Sequence, residues 1–247
     1  MPRIRFALVA LAVVLGAAGP FALAVEPGSD PRAVALAESV LEKMGGKSAW
    51  ERTRVVRWDF MGRRRHWWDL HTGDIRIEAD KRIVLMNVTT KTGRVWQDGQ
   101  ELAGQELADA LTRGHQWWVN DSYWMFMPYK LLDPGVTLRY VSERSMQKDG
   151  RAADVLEMTF GAGVGYTPQN RYEVGVAKDT GLVEEWAFFK DAQDEEPGFV
   201  LPWSGWKKFG PILLATDHGP DTGGDWNIAV FNGLPASVFE SREPVGP

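Results

Sequence analysis

The stretch "WVNDSYWMFMPYKLLDPG", residues 118–135, crowds aromatic and methionine side chains into a short segment, and another tryptophan, Trp117, directly precedes it. Such a group either fills a hydrophobic core or lines an apolar binding site. Apolar residues within 105–128 do not alternate with polar ones, which predicts a helix from about Gln105 to Val119. Asn120, Asp121 and Ser122 then predict a new cap and a short second helix that ends before Pro128.

A second helix is predicted near the N-terminus, in "SDPRAVALAESVLEKMGGKSAW", residues 29–50. Asp30 is a candidate N-cap, Pro31 suits the first turn, and Gly45 and Gly46 end the helix. Its apolar residues recur at spacings of three and four and form one stripe. A single amphipathic helix of this kind must dock on a larger body.

From Thr53 onward the period of the apolar residues changes to two. Val56, Trp58 and Phe60 alternate with charged residues, and similar alternation recurs around 84–88, 156–160, 172–176 and 186–188, with turn signals between the runs. This pattern predicts half-buried antiparallel strands that resume after Gly135 and continue to about Glu240. The predicted fold class is mainly β (α+β): a single strongly curved antiparallel sheet forming an unclosed barrel, with an N-terminal helix and a helical lid around 105–128.

The first 24 residues have the layout of a secretory signal peptide. Arg3 and Arg5 form a positive start, an apolar segment follows, and residues 22–24 give a small-x-small cleavage site. An uncleaved membrane anchor is the alternative, because the apolar segment approaches the length of a span. We predict cleavage, a single domain over residues 25–247, and a periplasmic or otherwise extracytoplasmic location.

Composition and histidine placement exclude several classes of function. The formal net charge of −5 argues against a nucleic-acid partner, and the absence of cysteine excludes disulfides, thiolate catalysis and cysteine-based zinc sites. His66 and His71 would point to opposite faces of a continuous strand. His218 lies among three aspartates in residues 217–225, without the spacing of a calcium loop, and is expected in a solvated turn. We therefore predict no metal and no cofactor.

The layout of the chain resembles a known superfamily. An N-terminal helix, a long antiparallel meander with a helical insertion, a "DTGL" hairpin at 179–182 and a "WKKFG" segment at 206–210 resemble the LolA/LolB-like periplasmic lipoprotein carriers. The stretch at 118–135 also resembles a group of exported bacterial proteins with that fold. The resemblance implies an unclosed barrel with a helical lid, holding acyl chains or another apolar molecule. It also implies an arginine that keeps the lid shut, for which Arg57, Arg63, Arg76 and Arg82 are all candidates, and none is assigned.

The predicted function is therefore binding or transport of a hydrophobic ligand, namely a lipid, an acyl chain or a lipoprotein, with a membrane surface as a further expected contact. The sequence leaves the oligomeric state open. The predicted ligand-binding residues are the large apolar side chains of the strands and the lid: Trp58, Phe60, Trp68, Met86, Trp96, Trp117, Trp118, Trp124, Met125, Phe126, Met127, Trp186 and Phe188.

Two alternatives remain open at this level. An exported hydrolase or carbohydrate-binding protein would use exposed tryptophans and the carboxylates Asp69, Asp74, Glu78, Asp121 and Glu157. A structural envelope protein would have a filled core and no ligand site. The segment "GRRRHWW", residues 62–68, is interpreted either as a contact for lipid headgroups or as a strand edge protected by positive charge.

Overall fold

The structure, a computed structural model, describes residues 25–222 and 226–245, and the predicted signal peptide lies outside them. The helices are α1 Pro31–Lys43, α2 Gly46–Arg52, α3 Gly104–Phe126 and α4 Ser237–Glu240, with 3₁₀ turns at Met127–Lys130 and Pro220–Thr222. The strands are β1 Val55–Phe60, β2 Arg64–Asp69, β3 Asp74–Ala79, β4 Arg82–Asn87, β5 Gly93–Gln97, β6 Gln100–Glu101, β7 Val136–Ser145, β8 Ala152–Phe160, β9 Arg171–Ala177, β10 Val183–Phe189, β11 Phe199–Pro202, β12 Lys207–Phe209, β13 Ile212–Leu214 and β14 Ala229–Phe231.

These strands confirm a mainly β fold but not the predicted single sheet. A seven-stranded sheet has the order β14-β1-β2-β3-β4-β5-β6, a five-stranded sheet has the order β11-β10-β9-β8-β7, and β12 and β13 form a hairpin. All strand pairs are antiparallel, and no sheet of the described residues closes into a barrel. The chain leaves the first sheet at β6, runs through α3, builds the second sheet from β7 to β11, and returns to the first sheet only with β14.

Helix α1 has the predicted ends. The Asp30 carboxylate accepts a hydrogen bond from the backbone N–H of Arg32 at 2.8 Å, and Pro31 occupies the first helical position. Gly45 has a φ of +116°, and a Cβ there would lie 2.8 Å from the carbonyl oxygen of Pro211. Glycine is therefore required where the helix turns away.

Helix α3 differs from its prediction because it runs without interruption to Phe126. Asp121 does not cap a second helix, since its carboxylate is bound by side chains of β2. The Ser122 hydroxyl donates to the carbonyl of Val119 within the helix, at 3.3 Å. Asp121 and Ser122 resemble a helix cap in the sequence, but in the structure their side chains make other hydrogen bonds.

The strands before residue 190 confirm their predictions, but the C-terminal end does not. The predicted run of strands to about Glu240 ends at β14, which pairs with β1 in the register Val56↔Val230. The chain then forms the short helix α4, which contacts β3 and β4.

Helix α3 lies between the two large sheets. The ring of Trp124 on α3 is 6.3 Å from Phe60 of β1 and 4.8 Å from Trp186 of β10, measured between centroids. We call the faces of the two sheets that carry Phe60 and Trp186 their inner faces. The core of the protein is thus a layer in which helical side chains separate two sheets.

Candidate functional site

The predicted ligand-binding residues fall largely into one buried cluster between the inner faces. Eleven of the thirteen are buried members of it: Trp58, Phe60, Trp68, Met86, Trp118, Trp124, Met125, Phe126, Met127, Trp186 and Phe188. Trp117 is partly buried and packs against its margin. Tertiary structure thus brings together residues from β1, β2, β4, α3, the 3₁₀ turn that follows α3, and β10.

Trp96 is the exception and corrects the prediction. It lies on β5 beside Val95, which points into the core, so Trp96 faces the opposite side of the sheet. There the guanidinium of Arg94 lies 4.6 Å from its ring centroid. Trp96 therefore belongs to the outer surface of the first sheet and not to the interior cluster.

Side chains of α3 fill the space between the inner faces. The rings of Trp118 and Trp68 are 5.2 Å apart between centroids, with an interplanar angle of 79°. Those of Phe126 and Trp58 are 5.4 Å apart, with an angle of 83°. These edge-to-face contacts are favourable arrangements for aromatic rings. The space between the inner faces is therefore occupied by side chains of α3 at these positions.

Several indole N–H groups in this cluster have no hydrogen-bond acceptor. The Nε1 atoms of Trp58, Trp68, Trp118, Trp186 and Trp203 are buried without a partner among residues 25–222 and 226–245. Outside it, Trp206 Nε1 donates to the Val183 carbonyl at 2.9 Å. Buried tryptophan usually finds such an acceptor, so these five indole N–H groups are candidate donors for a bound molecule.

A charged group lies inside this apolar interface. The Asp121 carboxylate of α3 accepts hydrogen bonds from Arg64 Nε at 2.6 Å and Arg64 Nη2 at 2.8 Å, and lies 2.7 Å from His66 Nε2. Asp121 and His66 are fully buried, and the ring of Trp58 stacks on the imidazole at 4.5 Å and 8°. Arg64 and His66 both lie on β2, so this group joins α3 directly to the first sheet.

The pKa values define the charge state of the group. Burial lowers the pKa of His66, and the neighbouring Asp121 offsets this only in part. Burial would raise the pKa of Asp121, but hydrogen bonds from His66 and Arg64 hold it below its usual value. At neutral pH the group is therefore a guanidinium–carboxylate pair with a neutral imidazole that donates through Nε2.

Sequence reasoning did not assign Arg64 or His66 to this site. The interpretation of residues 62–68 as a strand edge is wrong, because β2 lies between β1 and β3. Arg64, His66 and Trp68 are spaced by two and share the inner face, which is the signal that would have placed them beside the aromatic residues. None of Arg57, Arg63, Arg76 and Arg82 pairs with a described acidic residue of α3, whereas Arg64 does.

The candidate carboxylates of the enzyme alternative each bind a separate partner. Asp69, Asp74, Glu78, Asp121 and Glu157 contact, in that order, Arg54, Asn87, Arg76, Arg64 and Arg139. Among the described residues, no group of three or more histidine, aspartate or glutamate side chains is arranged to hold a metal ion.

His218 corrects another expectation, since it is buried and not part of a solvated turn. Its ring lies 4.4 Å from both Trp203 and Trp226, stacked on the latter at 10°. Burial lowers the pKa of His218 to about 3. Asp217 and Asp221 are exposed, and Asp225 lies outside the described residues.

Comparisons with known proteins give structural similarities only. No family model matches the sequence, and neither does any curated protein. A DUF1329 family protein from Desulfovibrio piger is 17% identical, with a TM-score of 0.46 over 86% of this chain and 98% of that one. A domain from Vibrio parahaemolyticus named for outer membrane lipoprotein sorting is 12% identical, with a TM-score of 0.40 over 82% and 97%.

A LolA superfamily protein from Nitrosomonas europaea is 11% identical, with a TM-score of 0.30 over 83% of this chain and 97% of that one. All three TM-scores lie below 0.5, so the similarity carries no information about ligand or activity. Within residues 25–222 and 226–245, no helix has the length and apolar character needed to cross a bilayer.

Proposed function

We propose that this protein binds and carries a hydrophobic molecule, such as a lipid, an acyl chain or the acyl chains of a lipoprotein, outside the cytoplasm. The ligand occupies the space between the inner faces that residues 117–127 of α3 and the following turn now fill. Helix α3 is then the lid of a single domain that spans residues 25–247. The observation that supports this most strongly is the Arg64–Asp121 pair buried between α3 and β2.

A buried ion pair contributes little to stability, because removing both charges from water offsets most of their attraction. Apolar side chains at these positions would hold α3 to the sheet at least as firmly. The pair instead favours one position of the helix. Any displacement of α3 separates the two charges, and each then needs water as a substitute partner. This is the behaviour of an element with two discrete positions rather than one that slides.

The unpaired indole groups support a ligand with polar atoms among its hydrocarbon. Ester or amide carbonyls entering the interior would accept hydrogen bonds from Trp58, Trp68 or Trp118. The hydrocarbon of the ligand would contact the apolar side chains that α3 now covers. Each CH₂ buried in this way contributes about 0.8 kcal/mol to the binding free energy. Met86, Met125 and Met127 adapt to irregular chains because methionine is unbranched and flexible.

An engineered disulfide tests whether α3 must move. Gly114 of α3 lies against β4, so closely that a Cβ on it would be 2.8 Å from Val84 Cγ1. The natural chain has no cysteine, so the double variant Val84→Cys, Gly114→Cys contains only the two introduced thiols. Oxidation would fix α3 to the sheet.

The measurement is binding of the neutral fluorescent probe N-phenyl-1-naphthylamine to the mature chain. We expect the reduced double variant to bind, the oxidised form to lose binding, and dithiothreitol to restore it. The single variant Val84→Cys, treated with the same oxidant, controls for side reactions. Equal binding by the oxidised and reduced forms would show that α3 is not a lid.

A further inference from the structure

Two arginines approach the same tryptophan from neighbouring parts of the first sheet. The guanidinium carbon of Arg64 lies 5.3 Å from the ring centroid of Trp117, and that of Arg82 lies 5.8 Å from it. Arg64 is the first residue of β2 and Arg82 the first of β4. Because the β1–β2 and β3–β4 turns lie at the same end of an antiparallel meander, both guanidinium groups lie at that end.

Both arginines belong to the inner face. Arg82, Val84 and Met86 are spaced by two on β4, and the last two are core residues. Trp117 itself packs against the core while remaining partly exposed. This end of the inner face is therefore a rim where positive charge adjoins the apolar interior.

The two guanidinium groups differ in how their charge is balanced. Arg64 is neutralised by Asp121, but Arg82 forms no ion pair with any described acidic residue. Its Nε donates to Gln97 Oε1 at 2.7 Å, and its two terminal nitrogens have no hydrogen-bond acceptor among the described residues. Two parallel N–H donors on one guanidinium match a phosphate or a carboxylate.

A second arginine–tryptophan pair of the same sheet shows the contrast. Arg94 lies over Trp96 on the outer face, and its guanidinium is bound by Glu101 at 2.7 and 2.8 Å. The charge of Arg94 in the outer pair is thus neutralised by a side chain of the protein. In the rim pair of Arg82 and Trp117, the terminal N–H groups of Arg82 remain available to a ligand.

We propose that Arg82, on the sheet side of this rim, binds the anionic headgroup of an amphipathic ligand whose hydrocarbon enters between the inner faces. This rests on the proposed function, since it needs an apolar interior that α3 can open. The headgroup is a phosphate or a carboxylate that takes the two terminal nitrogens of Arg82. A free anion has no hydrocarbon to contact the apolar interior, so it should bind more weakly than an amphipathic ligand with the same headgroup.

The test compares three probes by calorimetry on the mature protein, below the critical micelle concentration of each detergent. Dodecyl phosphate carries the anionic headgroup, dodecyl maltoside carries a neutral one on the same chain, and inorganic phosphate has no chain. The variants are Arg82→Gln, Arg82→Lys and, as matched control, Arg94→Gln, with circular dichroism to verify folding.

We expect wild-type protein to bind dodecyl phosphate about 10-fold more tightly than dodecyl maltoside, the scale of one charge-assisted contact. Arg82→Gln should remove this preference without changing maltoside binding, Arg82→Lys should keep part of it, and Arg94→Gln should keep all of it.

Three results would overturn the inference. Equal binding of both detergents, unaffected by Arg82→Gln, removes the headgroup site and leaves the proposed function intact. Failure of both detergents to bind removes the proposed function and the headgroup site together. Full displacement of dodecyl phosphate by equimolar inorganic phosphate identifies a site for free anions instead of a lipid headgroup.

Discussion

The Asp121 carboxylate of α3 receives two hydrogen bonds from the Arg64 guanidinium of β2, at 2.6 and 2.8 Å, inside an otherwise apolar interface. The side chain of Arg64 is 11% exposed and that of Asp121 is not exposed at all. Asp121 has no access to water in this position and Arg64 has little, so each charge depends on the other. The position of α3 and the integrity of this pair are therefore coupled.

Replacing Asp121 by asparagine should destabilise the protein by about 3 to 5 kcal/mol, because it leaves the Arg64 cation buried without a carboxylate. Urea denaturation of wild-type and variant protein measures the change. The control is Glu101→Gln, which breaks a solvent-exposed pair with Arg94 and should change the stability little, because water and salt screen that pair. An equal, small effect of both substitutions would contradict the coupling.

Removing both charges should have a different effect from removing one. In the double variant Arg64→Met, Asp121→Leu no charge is left unpaired, although the buried His66 Nε2–H loses its acceptor. Stability should therefore return to within about 1 to 3 kcal/mol of wild type. Apolar contacts would then hold α3 closed, and uptake of N-phenyl-1-naphthylamine should slow. Stopped-flow fluorescence measures the uptake, and uptake at the wild-type rate would separate the ion pair from lid opening.

Trp118 and Trp226 form a matched pair for testing the unused indole donors. Trp118 Nε1 is buried without an acceptor, whereas Trp226 Nε1 donates to the Thr222 carbonyl at 3.0 Å. Trp226→Phe should therefore cost about 1 to 3 kcal/mol more in unfolding free energy than Trp118→Phe, because it orphans a buried carbonyl. Chemical denaturation checks this, and the reverse order would show that the Trp118 donor is satisfied in solution.

The buried histidines predict a pH dependence of stability. Burial lowers the pKa of His115 to about 4 and that of His218 to about 3, from an ordinary value of 6.5. Below pH 6.5 the unfolded chain takes up protons that the folded protein does not, so stability falls as the pH decreases toward 4 and below. Above pH 6.5 both histidines are neutral in the folded and the unfolded chain, so they do not change the stability there.

Urea midpoints between pH 7 and pH 4 measure this loss. The variant His218→Phe keeps an aromatic ring between Trp203 and Trp226 but has no proton to bind, so its curve should be flatter than that of wild type. An unchanged slope would indicate that His218 is hydrated in solution.

Arg76 holds the C-terminal segment on the outer face of the first sheet. It is fully buried, and its guanidinium donates to the carbonyls of Ser241 at 2.6 Å and Glu243 at 2.9 Å. Arg76→Gln should release this segment, raise amide hydrogen exchange over 237–243 and expose Trp67. The exposed Arg242, which donates to the Gly99 carbonyl, provides the control Arg242→Gln. Unchanged exchange in Arg76→Gln would show that α4 is held by its apolar contacts alone.

Features of this structure that depend on neighbouring residues were predictable from the sequence, and features that depend on residues far apart in the chain were not. Asp30 and Gly45 mark the ends of α1 correctly, because capping and positive φ are set by neighbouring residues. Asn120 to Ser122 carry the same type of signal, yet α3 continues through them. The difference is that Asp121 finds its partner 57 residues away.

The candidate site was partly predictable for the same reason. Alternation on β1, β4 and β10, together with the aromatic stretch of α3, identified most of the cluster. It could not show which face of β5 would join the cluster, and Trp96 lies on the other face. Arg64 and His66 were missed because a run of basic residues suggests an exposed surface, whereas tertiary structure provides them with a buried carboxylate.

The sequence by itself determined the type of most elements, the apolar stripe of α1 and the alternating faces of the strands, because these follow from the periods of the local backbone. Only the tertiary structure decided that the strands divide into two large sheets, that α3 lies between them, and that Asp121 meets Arg64. Those features depend on contacts between segments far apart in the chain. The Asp121–Arg64 contact shows this most clearly, because a buried charge needs an opposite charge and only the fold brings one within reach.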